Sequence, residues 1–190
     1  GGHGVIWLYD GPLHTARLTL RLLETRDVDD VLAWMGDPAV TRYQLYEPRD
    51  REQVQAHLAK ASIARSLAAP GDWTEFGLEL QGRIIGIIFF KLESVDDLTG
   101  EIGWALTKRY QGHGYAFEAA TAILDLAFGP MKLRRVTAEL DPRNDASVAL
   151  CLRLGMRQEA HFVENLRFKG EWADTGIYAI LDREWAARSR

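Results

Sequence analysis

A single cysteine, Cys151, is all that this 190-residue chain carries, so an intramolecular disulfide and a multi-cysteine zinc site are both excluded. That scarcity fits a reducing compartment, as it would fit a cysteine-poor secreted protein. No apolar run approaches the roughly 18 residues that a membrane-spanning helix needs. The opening Gly1-Gly2-His3-Gly4 lacks the charged stretch and apolar core of a signal peptide. It reads as a remnant of cloning or tag removal. A cytoplasmic protein with no membrane attachment is the expectation. Basic charge is also in short supply: 23 Lys and Arg stand against 27 Asp and Glu, for a net charge of -4. That argues against nucleic acid as a partner, which needs a broad basic face, but leaves room for a local basic pocket around a phosphorylated ligand. His14, His57 and His161 are scattered without the spacing of a metal site, so no metal is implied. Repeats, low-complexity tracts and linkers are missing too, and one domain over 1–190 is expected, with its core at about 16–181.

What is present is an ordinary globular composition, 47% hydrophobic and 26% charged with both signs mixed. Residues 16–23 alternate, Leu18, Leu20 and Leu22 on one face and Arg17, Thr19 and Arg21 on the other, as in a half-buried strand. Thr25 to Asp30 supply caps and first-turn acids for a helix ending at Met35, before Gly36-Asp37-Pro38. The acids Asp27, Asp29 and Asp30 read as a solvated helix start. A second helix is expected from 51 to about 67. Residues 73–81 and 83–93 read as strands around a tight turn at Gln81-Gly82. The second, with Ile84-Ile85-Gly86-Ile87-Ile88-Phe89-Phe90, is apolar on both faces like a central strand. After a turn at 96–100 come a strand (101–106), a helix (114–128), a strand (134–140), a helix (146–154) and two antiparallel strands within 156–181 around Lys169-Gly170. This order predicts an α/β (α+β) domain, a mixed sheet with helices packed on it, and not a regular alternation of strand and helix.

The informative junction is the one between strand 101–106 and the helix opening at Gly112-His113-Gly114. A helix start offers backbone N–H groups without intrahelical partners and a partial positive charge. Glycines let backbone approach a phosphate closely. Together these make a pyrophosphate cradle, although such a junction is often only a tight turn. Phe117 stands where a dinucleotide fingerprint needs its third glycine, and no Gly-Lys-Ser/Thr follows for a Walker A loop.

Gln111-Gly112-His113-Gly114-Tyr115-Ala116 resembles the Q/R-x-x-G-x-G/A motif of the GNAT (GCN5-related N-acetyltransferase) family. The wider run from Tyr110 to Ala119 is similar to the RimJ/RimL-like branch, the ribosomal-protein N-terminal acetyltransferases. Arg17-Leu18-Thr19-Leu20-Arg21, Glu101-Ile102-Gly103-Trp104, Asn144-Asp145-Ala146-Ser147, Leu154-Gly155-Met156 and Gly170-Glu171-Trp172-Ala173-Asp174 extend the likeness in the same order. The resemblance implies a mostly antiparallel mixed sheet with helices on both faces and two splayed parallel central strands, 101–106 and 134–140. It implies acetyl-CoA as cosubstrate, no metal, the backbone of Gln111 to Ala116 on the pyrophosphate, the strand end at Leu106 on the pantetheine arm, and Asn144 as a further cofactor contact. Ser147 matches a serine proposed to help the thiolate leave, and Glu101 is the candidate base, directly or through water.

Such chemistry needs a neutral amine, a stabilised oxyanion and a protonated or hydrogen-bonded leaving thiolate. An alkyl ammonium, with a pKa near 10, must first lose a proton. Simpler structural readings stand beside the functional ones: a solvated strand-end carboxylate for Glu101, and a helix-start residue bonding nearby backbone for Ser147. Many relatives carry a tyrosine acid seven residues after the Asn, where this chain has Cys151, whose simpler reading is a small buried apolar residue. His113 occupies a variable loop position with a backbone role. Trp34, Tyr43, Tyr46, Trp104 and Tyr178 are candidates for an acceptor pocket, or else core aromatics. Arg134 and Arg135 are surface charges or ligands for the cofactor's 3'-phosphate. The function implied is acetyl transfer to a primary amine by direct attack in a ternary complex, a protein N-terminal α-amine first. The alternatives are a small amine (antibiotic, polyamine or amino acid) or a non-catalytic acyl-CoA sensor. The resemblance also allows a homodimer, since relatives often pair through sheet edges or helices.

Overall fold

The computed structural model describes residues 4–188; of the expected tag remnant, residues 1–3 lie outside them. The chain opens with two short strands, β1 (Trp7–Leu8) and β2 (Leu13–His14), then β3 (Thr19–Leu22). Helices α1 (Val28–Met35), α2 (Pro38–Thr41) and α3 (Arg51–Ala61) lead to β4 (Ser66–Leu67), β5 (Trp73–Leu80), β6 (Arg83–Ser94) and β7 (Thr99–Leu106). There follow α4 (Tyr115–Phe128), β8 (Arg135–Leu140), α5 (Asp145–Arg153), β9 (Arg157–Phe168), β10 (Glu171–Leu181) and α6 (Asp182–Ala187). One eight-stranded sheet runs in the order β2-β3-β5-β6-β7-β8-β10-β9, while β1 and β4 form a separate pair. No helix among the described residues is long and apolar enough to cross a membrane.

Strand β6 is apolar on both faces because both are covered. Ile84 and Ile87 pack with Val28, Val31 and Trp34 of α1 and with Val54 and Leu58 of α3. Ile85, Ile88 and Phe90 pack on the other face with Ala119, Ala120, Ile123 and Leu124 of α4. Burying side chains such as Ile123 and Leu124 stabilises by about 1.5–3 kcal/mol each, which holds α4 and its N-terminus against the sheet.

All ladders of the large sheet are antiparallel except one. Strands β7 and β8 run parallel and pair only at Thr99↔Arg135, Gly100↔Val136 and Glu101↔Thr137. Beyond Glu101, β7 stays on β6 as far as Leu106↔Gly86, and β8 stays on β10 as far as Leu140↔Gly176. The two middle strands therefore part into a V with its vertex at Glu101, and the splay implied by the family resemblance is present.

Three local expectations need correction. The helix expected to run to about 67 ends at Ala61. Ser66–Leu67 instead pairs with Trp7–Leu8 and buries Leu67 fully, so tertiary pairing overrides a helix-permissive sequence. The strand expected over 16–23 is reduced to Thr19–Leu22. Asp27 is not solvated: its carboxylate takes two 2.9 Å hydrogen bonds from Arg21, whose guanidinium also reaches Glu79 at 3.2 Å. The hairpin β9–β10 turns at Lys169 and Gly170, with φ of 49° and 81°, as a two-residue turn requires. Its tip is tied down by the Lys169 ammonium, which donates to the carbonyls of Thr41 at 2.5 Å and Arg42 at 3.4 Å.

Candidate active site

The loop from β7 to α4 is shaped by two left-handed glycines, Gly112 and Gly114, with φ of 81° and 79°. Gly114 is the residue before the helix, and Glu118 N–H is the first to bond back to it, at 3.0 Å. The amides of Tyr115, Ala116 and Phe117 thus begin α4 without intrahelical partners. The Gln111 side chain turns back and donates to the Leu106 carbonyl at 3.0 Å, pinning the loop to the strand end. A Cβ on Gly114 would meet only two groups within 4 Å, Arg17 Nη2 at 3.5 Å and Arg153 Nη1 at 3.7 Å. Two guanidinium groups therefore flank a helix N-terminus, and helix dipole and side-chain charge act together on an anion.

Each arginine is held in place. Arg17 donates to the His113 carbonyl at 3.0 Å and to Glu118 at 2.8 Å, and lies 4.2 Å over the Tyr115 ring. Arg153 stacks 3.9 Å over Phe117. Burial pushes the Glu118 carboxyl up, but bonds from Thr15 and Arg17 outweigh it and hold the group below its ordinary value. Thr15, Arg17, Phe117, Glu118 and Arg153 line an open groove of about 760 Å³. Sequence reasoning missed both arginines. Arg17 read as the polar face of a strand, and its contact with the loop spans 96 positions. Arg135 instead pairs with Glu159 at 3.0 Å.

A side-chain bond ties the β7 arm of the V to α5, the helix that follows β8. Asn144 caps α5, its Oδ1 accepting from Ser147 N–H at 3.2 Å. The Ser147 hydroxyl accepts the Trp104 indole N–H at 3.0 Å. With one lone pair so engaged, its own hydrogen points elsewhere and is free to be donated. Cys151, one turn further along α5, is fully buried, and burial pushes its thiol up to about 12. It stays a protonated, packed residue.

On the α1–α3 face lies a second cavity, of about 340 Å³, whose walls include Tyr43, Tyr46, Phe89, Glu101, Gly103 and Trp104. Trp34 and Tyr178 are buried in the core. Glu101 stands at the vertex of the V. Burial, a hydrogen bond with Glu93 and the charge of Glu139 push its carboxyl up to about 7, against the opposing pull of Lys91, whose ammonium is 3.4 Å away. Desolvation likewise pushes the Tyr46 hydroxyl up to about 12, despite Arg49. At neutral pH Glu101 is thus poised between accepting and releasing a proton.

The acetyltransferase (GNAT) domain model matches residues 17–157. The chain belongs to the GNAT family. The GNAT match takes in the glycine loop, the V and the capped α5 together. Among relatives, the N-acetyltransferase YnaD of Bacillus subtilis is 34% identical over 172 residues, covering 90% of this chain and 97% of that one. The ribosomal protein uS5 alanine N-acetyltransferase of Escherichia coli is 26% identical over 187 residues, covering 91% and 92%. A solved GNAT acetyltransferase from Bacillus anthracis superposes with a TM-score of 0.80 at 29% identity, covering 90% and 99%. The protein is accordingly an N-acetyltransferase that depends on acetyl-CoA. The residues present suit such a ligand, since a left-handed glycine and two guanidinium groups leave a cradle that a side chain at 114 would enter.

Proposed function

We propose that the protein transfers acetyl from acetyl-CoA to a primary amine by direct attack in a ternary complex, with a protein N-terminal α-amine as the leading acceptor. The observation that carries this reading is the V between β7 and β8. It joins a groove with two arginines on a helix N-terminus to a carboxylate-bearing cavity on the α1–α3 face.

In this reading the amides at the start of α4, with Arg17 and Arg153, hold the pyrophosphate, and the edge of β7 up to Leu106 pairs with the pantetheine arm. Gln111, Gly112, His113, Gly114, Tyr115 and Ala116 form the cradle, His113 through its backbone. Asn144 orients the start of α5. The amine enters from the α1–α3 face, where Gly103 leaves the floor beside Phe89 open. Its nitrogen forms the new C–N bond as the C–S bond breaks, and Glu101 takes the proton released at attack. The sulfur leaves with the bonding pair and receives a proton through the Ser147 hydroxyl.

The likeness to the uS5 alanine N-acetyltransferase supports the α-amine acceptor. One observation favours a small polycationic amine instead: Glu75, Glu101, Glu139, Asp141 and Asp174 all line the cavity. Free-thiol release from acetyl-CoA, measured against an alanine-terminated peptide, spermidine and an aminoglycoside, tests both readings. The peptide is expected to raise release well above background. Preference for spermidine would transfer the reading to small amines, and equal background with all three would leave a cofactor-binding sensor.

A further inference from the structure

One pair of ionisable side chains in the acceptor cavity has no part in the scheme so far. His57, on α3, and Glu75, on β5, both line it. His57 Nε2 lies 2.8 Å from Glu75 Oε2, and the two side chains are only 16% and 8% exposed. The imidazole stacks on Trp73 at 6.2 Å and 13°, and Trp73 stacks on Phe89. Across the sheet Glu75 pairs with Phe89, and Phe89 with Gly103. Two strand spacings, about 10 Å, therefore separate the Glu75 backbone from the open floor at Gly103.

Their chemistry is set by this contact. An ionised carboxylate only accepts, so Nε2 must carry the hydrogen that Glu75 receives. The neutral ring then has its lone pair on Nδ1, which has no hydrogen-bond partner among the described residues. A carboxylate behind an imidazole fixes the tautomer and stabilises the imidazolium once a proton arrives. Burying such a pair costs desolvation that apolar residues would avoid, so its place in a cavity wall points to use.

The proton count asks for a second acceptor. An ammonium nitrogen ends as an amide N–H, so two protons leave it: one on deprotonation to the free amine, one at attack. Resting on the acetyl-transfer reading, we infer that His57 Nδ1 takes the first of these from the incoming ammonium, with Glu75 as its positioning partner. The imidazolium then returns that proton to solvent, while Glu101 handles the second. The charged groups facing the same cavity are Glu75 on β5, Arg49 ahead of α3, Glu101 on β7, Glu139 on β8, Asp141 just after it and Asp174 on β10.

The test is the pH profile of kcat/KM for an alanine-terminated peptide in the full chain. In the parent both the ammonium and the free amine are usable, so the acid limb is set by the enzyme's own proton acceptors, Glu101 among them. In His57→Gln, whose amide can still donate to Glu75, productive binding needs amine already neutral in solution. At pH 7 kcat/KM should then fall about tenfold and climb through the α-amine's own pKa near 8, approaching the parent by pH 9, with acetyl-CoA affinity unchanged. A merely structural role would scale the whole profile down without changing its shape, and that result overturns the inference. An inactive parent would sink the acetyl-transfer reading itself. Nitrogen-detected NMR of the His57 ring decides independently of turnover: a bare Nδ1 at pH 8 supports the inference, and a protonated Nδ1 with a bare Nε2 overturns it.

Discussion

At the scale of single residues, the glycine loop was legible in the sequence and its charge partners were not. Gly112 and Gly114 declare themselves by their spacing, whereas Arg17 and Arg153 reach the loop only through folding, from 97 positions before and 39 after Gly114. The same holds for Trp104, which read as core or pocket wall and proves to bond Ser147. Gly114→Ala places a side chain in left-handed backbone, at about 1–2 kcal/mol, and aims its methyl between the two guanidinium groups. It should lower the melting temperature modestly and weaken acetyl-CoA binding at least tenfold by calorimetry. Trp104→Phe removes that N–H together with one ring of the indole, and keeps an aromatic side chain in the cavity wall. With a typical hydrogen bond worth about 1 kcal/mol, kcat should drop about fivefold while acetyl-CoA affinity holds.

Glu101 carries a prediction about pH at this scale too. Its folded pKa, about 7, lies above the ordinary carboxyl value of 4.5, so the folded state binds its proton more tightly than the unfolded one. The resulting penalty is absent below about pH 4.5, grows as pH rises to 7 and is complete above it. Glu101→Gln should therefore melt higher than the parent at pH 8 and at the same temperature near pH 4, although it loses activity at both.

At the scale of elements, strands with a strong period were legible, and those held only by partners were not. The apolar run of β6 and the alternation near Leu18 to Leu22 announce their faces. The two-residue strands β1, β2 and β4 are too short to show any period, and α3 stops at Ala61, short of the pairing of Leu67 with Trp7, which no local signal reveals. The long arm of the V depends on close packing at Gly86, opposite Leu106. A Cβ there would stand 2.3 Å from the Ala105 carbonyl and 2.9 Å from Leu106 Cα. Backbone cannot yield as a flexible side chain would, so Gly86→Ala should cost about 1–3 kcal/mol in denaturant unfolding. By displacing the strand end at Leu106, it should weaken acetyl-CoA binding as well.

At the scale of the whole molecule, two cavities open near one parted seam, and the chain offers no reactive thiol between them. Cys151 is buried with its thiol pushed up to about 12, so an acetylated cysteine cannot carry the group from one substrate to the other. Initial velocities with both substrates varied should give intersecting lines rather than the parallel lines of a ping-pong route. Cys151→Ala should keep most of its activity at a small cost in stability. The mixed sheet, the helices on both faces and the splay were all legible as a resemblance, because several motifs recur in one order. The wall built by His57 and Glu75 was not, since its members come from elements that meet only after the sheet has formed.

The parting of β7 and β8 leaves main-chain groups with no ladder on the inner edges beyond Glu101 and Thr137. Those amides of residues 102–106 that point towards β8 should trade hydrogen for deuterium quickly in the free protein, while their neighbours bonded to β6 stay protected. An extended amide-bearing ligand laid along that edge would act as a missing ninth strand. The seam would then become one of the slowest-exchanging parts of the sheet, and the difference would record where the ligand lies.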